Sequence, residues 1–240
     1  MTKQALPPLN PKPAYYQGVL AFGGGGPASI GGLTRTPDLA LSYLLAARYT
    51  LEGAIAVGRL SDVVLPVAHL QRHAVEVEVK SITSTARSIA QDRLWWSLLD
   101  QDDQAEPPSV KPPSNVHVFD DLLPEAAAAL KEIDFDELPK ALIDVCQKLT
   151  NLETREAEGK PDYTRLKYLS DKRGKEQFPK RYEVPLVEHQ NELEALFLDL
   201  VYVHGQPEAD QNWGTRLVMQ GEYVSQPLGY RLYELGRLDE

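Results

Sequence analysis

The sequence predicts a mostly α fold: an antiparallel helical bundle with an irregular N-terminal arm and a short C-terminal tail able to pair as a hairpin. Three observations carry that expectation. Apolar residues recur at helical spacing over residues 37–58, 136–152 and 184–204. The segments between them are rich in proline, glycine and charge. A hydrophobic share of 42% beside 25% charged residues is that of a globular chain rather than a disordered one. The 240 residues suffice for one sizeable core with extensions, divided as an arm (1–35), a helical domain (36–205) and a C-terminal extension (206–240).

In the arm, Pro7, Pro8, Pro11 and Pro13 favour extended backbone, and Gly23 to Gly26 with Gly31 and Gly32 add a flexible stretch. No Gly-Lys-Ser/Thr follows those glycines, so a linker or loop is expected there rather than a phosphate cradle. Order is expected to begin at Thr36-Pro37-Asp38. Threonine suits an N-cap, proline the first helical position, and aspartate the positive end of the helix dipole. Leu44, Ala47, Leu51 and Ile55 continue at helical spacing, and Gly58 fits the end.

Residues 61–84 carry two conflicting patterns. Val75-Glu76-Val77-Glu78-Val79-Lys80 alternates as a half-buried strand does. Over a longer window, Arg72, His73, Glu76 and Lys80 lie at offsets of 3, 4, 7 and 11 from His69, which gathers all five on one edge of a helix. Val67, Leu70, Ala74 and Val77 form an apolar stripe beside them, and Pro66 is tolerable only in a first turn. Helix is the expectation, and it continues to Leu99 through Trp95 and Trp96. Residues 100–115 read as a linker, 119–131 as a helix, 136–152 as another with Pro139 near its start, and 153–182 as a long exposed loop. In the helix over 184–204, Leu186, His189, Leu193, Leu196, Phe197, Leu200 and Val203 share a face, with His189 expected as a hydrogen-bonded core histidine. Beyond Gly205 come Trp213, Tyr223, Tyr230 and Tyr233, and Arg216-Leu217-Val218-Met219 can pair as a hairpin around Gly221.

Composition excludes several classes. The lone cysteine, Cys146, supplies neither an internal disulfide nor a thiolate cluster, and its apolar context predicts a small core residue. No apolar run approaches the roughly 18–20 residues of a membrane span, and the N-terminus has no secretory signal, so a cytoplasmic protein without membrane contact is expected. A net charge of −10 disfavours general adhesion to nucleic acid while leaving room for a local basic site. No His-Glu-x-x-His or paired-ligand spacing occurs, so no metal or other cofactor is expected.

The conspicuous constellation is Arg72-His73-x-x-Glu76-x-x-x-Lys80. On a helix, Arg72 pairs with Glu76 and Glu76 with Lys80 at i,i+4, while His73 sits by Glu76 at i,i+3. A histidine beside a carboxylate can move protons near neutrality, and Arg72 and Lys80 can hold a phosphate or a charged phosphorane. The bland alternative is a solvated stripe of ordinary ion pairs.

This segment, from Leu70-Gln71-Arg72 through His73-Ala74-Val75-Glu76 to Lys80, resembles the helix of HEPN-superfamily proteins. A subgroup of bacterial members continues with a histidine that opens a helix, an Arg-Tyr-Pro-x-Asp-x-x-Gly loop and a closing helix. His117 in Asn115-Val116-His117-Val118-Phe119 is similar to the second element, the stretch from Lys167-Tyr168-Leu169 to Gly174 is similar to the loop, and 184–204 to the final helix. The resemblance implies an antiparallel helical bundle that often dimerises. Many members are metal-independent ribonucleases of toxin–antitoxin, phage-defence or RNA-processing systems; others are non-catalytic and bind nucleotides or partner proteins. The ribonuclease members carry an arginine and a histidine separated by four to six residues near the start of the last core helix. No such pair exists here: Arg181 and His189 come closest, with seven residues between them and Pro185 interrupting. Lys167 and Leu169 replace the loop's arginine and proline. A ribonuclease site in this chain would therefore use Arg72, His73, Glu76 and Lys80 as catalytic groups, with His69, His117 and Lys167 binding RNA across a homodimer or partner interface. The alternative is a catalytically silent helical module that contacts a partner protein or nucleotide.

Overall fold

A computed structural model describes residues 7–13, 16, 36–154, 166, 183–200 and 212–237. The protein is mostly α: among the described residues there are six α-helices, one short 3-10 helix and no strand. The α-helices are α1 (Thr36–Ala56), α2 (Val64–Leu99), α3 (Phe119–Glu132), α4 (Lys140–Glu153), α5 (Leu186–Leu200) and α6 (Trp213–Glu234), with the 3-10 turn at Leu60–Val63. The alternating Val75–Val79 run is helical. Its alternation misleads because α2 is buried round most of its circumference here: from Gln71 to Val79 only His73 reaches intermediate exposure. When valines and glutamates are both internal, polarity no longer marks the solvent face. Pro66 falls in the first turn of α2, where its missing N–H costs no helical bond.

The chain divides into two compact units. The first comprises Met1–Glu78, His117–Phe119 and Lys140–Leu198. In it, α1 ends at Ala56, and Gly58 just beyond has a φ of 68°, the left-handed conformation that glycine adopts without strain. The chain then reverses through the 3-10 turn. Ala47 and Leu51 of α1 meet Val67 and Ala68 of α2 in one apolar cluster, joined by Leu166 and Leu186. Helix α4 presents Leu142, Val145, Cys146 and Leu149 to the interior at i, i+3, i+4, i+7 spacing. The described part of the proline-rich N-terminus, residues 7–13, lies against this unit. The Asn10 N–H donates to Asn191 Oδ1 at 2.9 Å, and Arg48 Nη2 donates to the Asn10 carbonyl at 2.6 Å.

The second unit comprises Val79–Val116, Asp120–Pro139 and Asp199–Glu240. Its linker has no helix or strand yet is tied down at several points. Trp95 Nε1 donates to the Ala105 carbonyl at 3.0 Å, and Arg87 Nη1 to that of Pro112 at 2.9 Å. The Glu125 carboxylate receives Arg87 Nη2 at 2.8 Å and the Ser114 hydroxyl at 2.6 Å.

The C-terminal tail differs from the expected hairpin: it is the 22-residue helix α6. Asn212 caps it, its side chain accepting from the Thr215 N–H at 2.7 Å. Trp213, Leu217, Leu228 and Leu232 bury one face. Gly221 serves close approach rather than a turn, since a Cβ there would lie 3.3 Å from Ile89 Cγ1. Packing on that face overrides the helix-breaking signals of Gly221 and Pro227. Among the described residues, no helix is long and apolar enough to cross a membrane.

Candidate functional site

In the first unit, the Arg72–Glu76 pair is not a surface ion pair: these residues are 2% and 3% exposed. Three of the five guanidinium N–H donors are engaged. Nη1 donates to Glu76 Oε2, Nη2 donates to the main-chain carbonyl of His117, and Nε donates to Glu153 Oε1 at 2.7 Å. The ring of Phe119 covers its face, 4.8 Å from the guanidinium carbon to the ring centroid. Planar geometry suits this role, because the rigid fork spreads its donors over a wider plane than the compact ammonium of a lysine and can lie flat against an aromatic ring. One buried cation thus stands among two buried carboxylates and a carbonyl, and holds residues 117–119 and the end of α4 to α2.

Glu76 also gathers histidines. Its Oε1 lies 2.6 Å from Nδ1 of His117, and its Oε2 lies 3.7 Å from Nδ1 of His73. Both rings reach solvent, with side chains 41% and 30% exposed. His73 meets the edge of Tyr43 at 4.4 Å and stacks with His69 at 5.8 Å between centroids. The fold therefore brings Arg72, His73, Glu76, His69 and His117 together. Lys80 falls in the second unit, half-exposed on the continuing turns of α2. Lys167 lies outside the described residues, as does the rest of the loop through Gly174. Among the described residues, no group of three or more His, Cys, Asp or Glu side chains is placed to hold a metal ion.

Sequence reasoning missed Glu153. A signal exists for it: Glu153 follows Leu142, Cys146 and Leu149 at +11, +7 and +4, squarely on the apolar stripe of α4. It also missed a second buried polar cluster in this unit. Arg48 Nη1 pairs with Glu194 at 2.6 Å, and Tyr16 donates to the same carboxylate at 3.2 Å. Gln190 Nε2 donates to Glu194 at 2.8 Å and to the Leu44 carbonyl at 3.1 Å, while Gln71 Nε2 donates to Gln190 Oε1 at 3.1 Å. Burial raises the Glu194 carboxyl above its usual range, against the lowering effect of Gln190, Arg48 and Tyr16. These bonds join α1, α2 and α5, so the cluster has the makings of a structural clamp.

Three other groups bear on chemistry. Cys146 is fully buried, and desolvation pushes its thiol up to about 12 despite the nearby Arg72 charge, so it supplies no thiolate. His189 is not the hydrogen-bonded core histidine expected: its buried Nδ1 makes no hydrogen bond, and burial lowers its pKa. Glu78 is buried, its Oε2 makes no hydrogen bond, and desolvation raises its carboxyl to about 8. Compared with protein-family models, curated proteins and solved structures, the chain matches none.

Proposed function

We propose that this chain is a HEPN-like, catalytically silent helical module, an accessory or sensor component of a toxin–antitoxin or phage-defence type system that acts by contacting a partner. The observation that carries this is the enclosure of Arg72. Three of its five N–H donors are taken by Glu153, Glu76 and the His117 carbonyl, Phe119 lies over one face, and the side chain is 2% exposed. A phosphate would have to enter a buried site that already holds two carboxylates. A group so engaged organises a core; it does not turn over a substrate.

One observation favours a second function, a metal-independent endoribonuclease. Glu76 presents its two oxygens to two histidines, and both rings reach solvent. Such a pair can supply a general base and a general acid. One imidazole would take the proton of an RNA 2′-hydroxyl as that oxygen attacks phosphorus, and the other would give a proton to the departing 5′-oxygen, leaving a 2′,3′-cyclic phosphate. Arg72 would then orient Glu76 rather than touch the substrate.

Incubating the purified full chain with total RNA in EDTA separates the two. The silent module predicts no cleavage by folded wild type. Cleavage that disappears in both His73→Ala and His117→Ala, with helical circular dichroism unchanged, would overturn it and establish the histidine pair.

A further inference from the structure

The second unit carries an aromatic cleft that the polar cluster does not explain. It has a volume of about 390 Å³ and is walled by Trp96 of α2 and by Tyr223, Pro227 and Tyr230 of α6. Tyr223 and Tyr230 are 74% and 76% exposed, far beyond what a tyrosine gains by merely covering a core. On the opposite side of α6, Leu228 and Leu232 pack with Leu99 in a buried cluster that Trp96 also joins, so the helix is anchored while the rings stand clear.

We propose that this cleft docks an extended, proline-rich segment of a partner protein that carries a lysine or arginine beside its prolines; this names a partner for the accessory function above and rests on it. Spacing is the first support. Residues 223 and 230 are seven apart on one helix, a rise of roughly 10.5 Å at 1.5 Å per residue. Prolines three apart in a polyproline II helix are separated by about 9.3 Å, so successive exposed rings meet successive prolines. Hydrogen bonding is the second. A polyproline II segment has no internal hydrogen bonds and offers its carbonyls outward. The cleft supplies donors for them in the tyrosine hydroxyls and Gln226. A docked α-helix, with its backbone satisfied, would leave those donors unused.

Charge is the third support, and it selects the flanking residue. Arg231 is answered by two carboxylates, Asp103 at 2.7 Å and Glu234 at 3.5 Å, which leaves the rim acidic. Glu234 lines the cleft itself, where its carboxylate can meet a basic side chain. A net charge of −10 also works against pairing two copies of this chain through an acidic rim.

The test uses the full chain and a fluorescein-labelled peptide of two Pro-Pro-Leu-Pro-Arg repeats, followed by anisotropy. Controls are the same peptide with alanine for proline, and a helix-forming Leu-Lys peptide. The expected result is saturable binding of the proline peptide alone, weakened about tenfold or more by Tyr223→Ser or Tyr230→Ser, and weakened by Glu234→Lys. Both tyrosines are surface residues, and helical circular dichroism confirms that each variant folds. No binding, equal binding of the alanine peptide, preference for the Leu-Lys helix, or self-association abolished by Tyr230→Ser would each overturn the proposal. The RNA assay on the same samples keeps the two inferences apart: histidine-dependent cleavage removes the silent module, whereas an inert protein that ignores the peptide removes only the docked proline segment.

Discussion

Arg72 answers two buried carboxylates with one charge, and that arithmetic makes its loss costly. In Arg72→Ala, Glu76 and Glu153 would remain buried without their shared cation, and desolvated charge stripped of its partner is expensive. We expect urea unfolding to show a loss of about 3–5 kcal/mol, the range for breaking a buried ion pair from one side. His73→Ala should cost less than about 1 kcal/mol, because its contact with Glu76 is longer and its ring is partly solvated. Equal losses for the two variants would refute the enclosed arginine as the organising contact. The i,i+4 link between Arg72 and Glu76 was legible from spacing alone. The Glu153 link was not, since it spans 81 residues and joins two helices; only the oddity of a glutamate on an apolar stripe hinted at it. The same holds for Arg48 and Glu194, which are 146 residues apart.

Helix α2 shows how far pattern reaches at the level of an element. Its long-window spacing identified the helix, while its buried glutamates imitated a strand. Glu78 is the sharper case, because it lies on the edge defined by Ala68, Gln71, Val75 and Ile82, all buried. A carboxyl raised to about 8 by desolvation stays protonated in the fold after the unfolded chain has lost its proton, near 4.5. Stability should therefore fall as pH rises from about 4.5 to about 8 and level off above, where both states are ionised. Glu78→Gln removes the titration, so the variant should gain a few kcal/mol over wild type at pH 9 and little at pH 4.5. Chemical unfolding at those two pH values checks this, and a difference that does not grow with pH would rule it out. Helix α6 is the opposite lesson. Gly221 and Pro227 are breakers by local rule, and what keeps the helix intact is the fit of Gly221 against Ile89 together with burial of Trp213, Leu217, Leu228 and Leu232. Neither partner distance nor burial is written in a local window of sequence.

For the whole chain, charge is distributed unevenly in a way composition alone conceals. Residues 160–181 hold eight lysines and arginines against three acidic residues, a local excess of five positive charges in a chain whose total is −10. That segment includes Lys167, and apart from Leu166 it lies outside the described residues, so its contribution is argued from charge alone. RNA offers a regular row of phosphates, and each one neutralised by Lys or Arg releases counterions, which makes binding fall with salt. An otherwise acidic chain repels the same polymer. The two effects together predict single-stranded RNA association that is measurable at low ionic strength and lost toward physiological salt. Replacing Lys172, Arg173 and Lys175 together with alanine should flatten the log–log salt dependence by about 2, at roughly 0.7 for each phosphate contact removed. Filter binding across a salt series measures that slope. His73→Ala should leave it unchanged, because the histidine lies outside the basic run. A slope insensitive to the triple substitution would place any RNA contact elsewhere on the chain, and association that persists unchanged through physiological salt would show that phosphate neutralisation is not what holds the RNA.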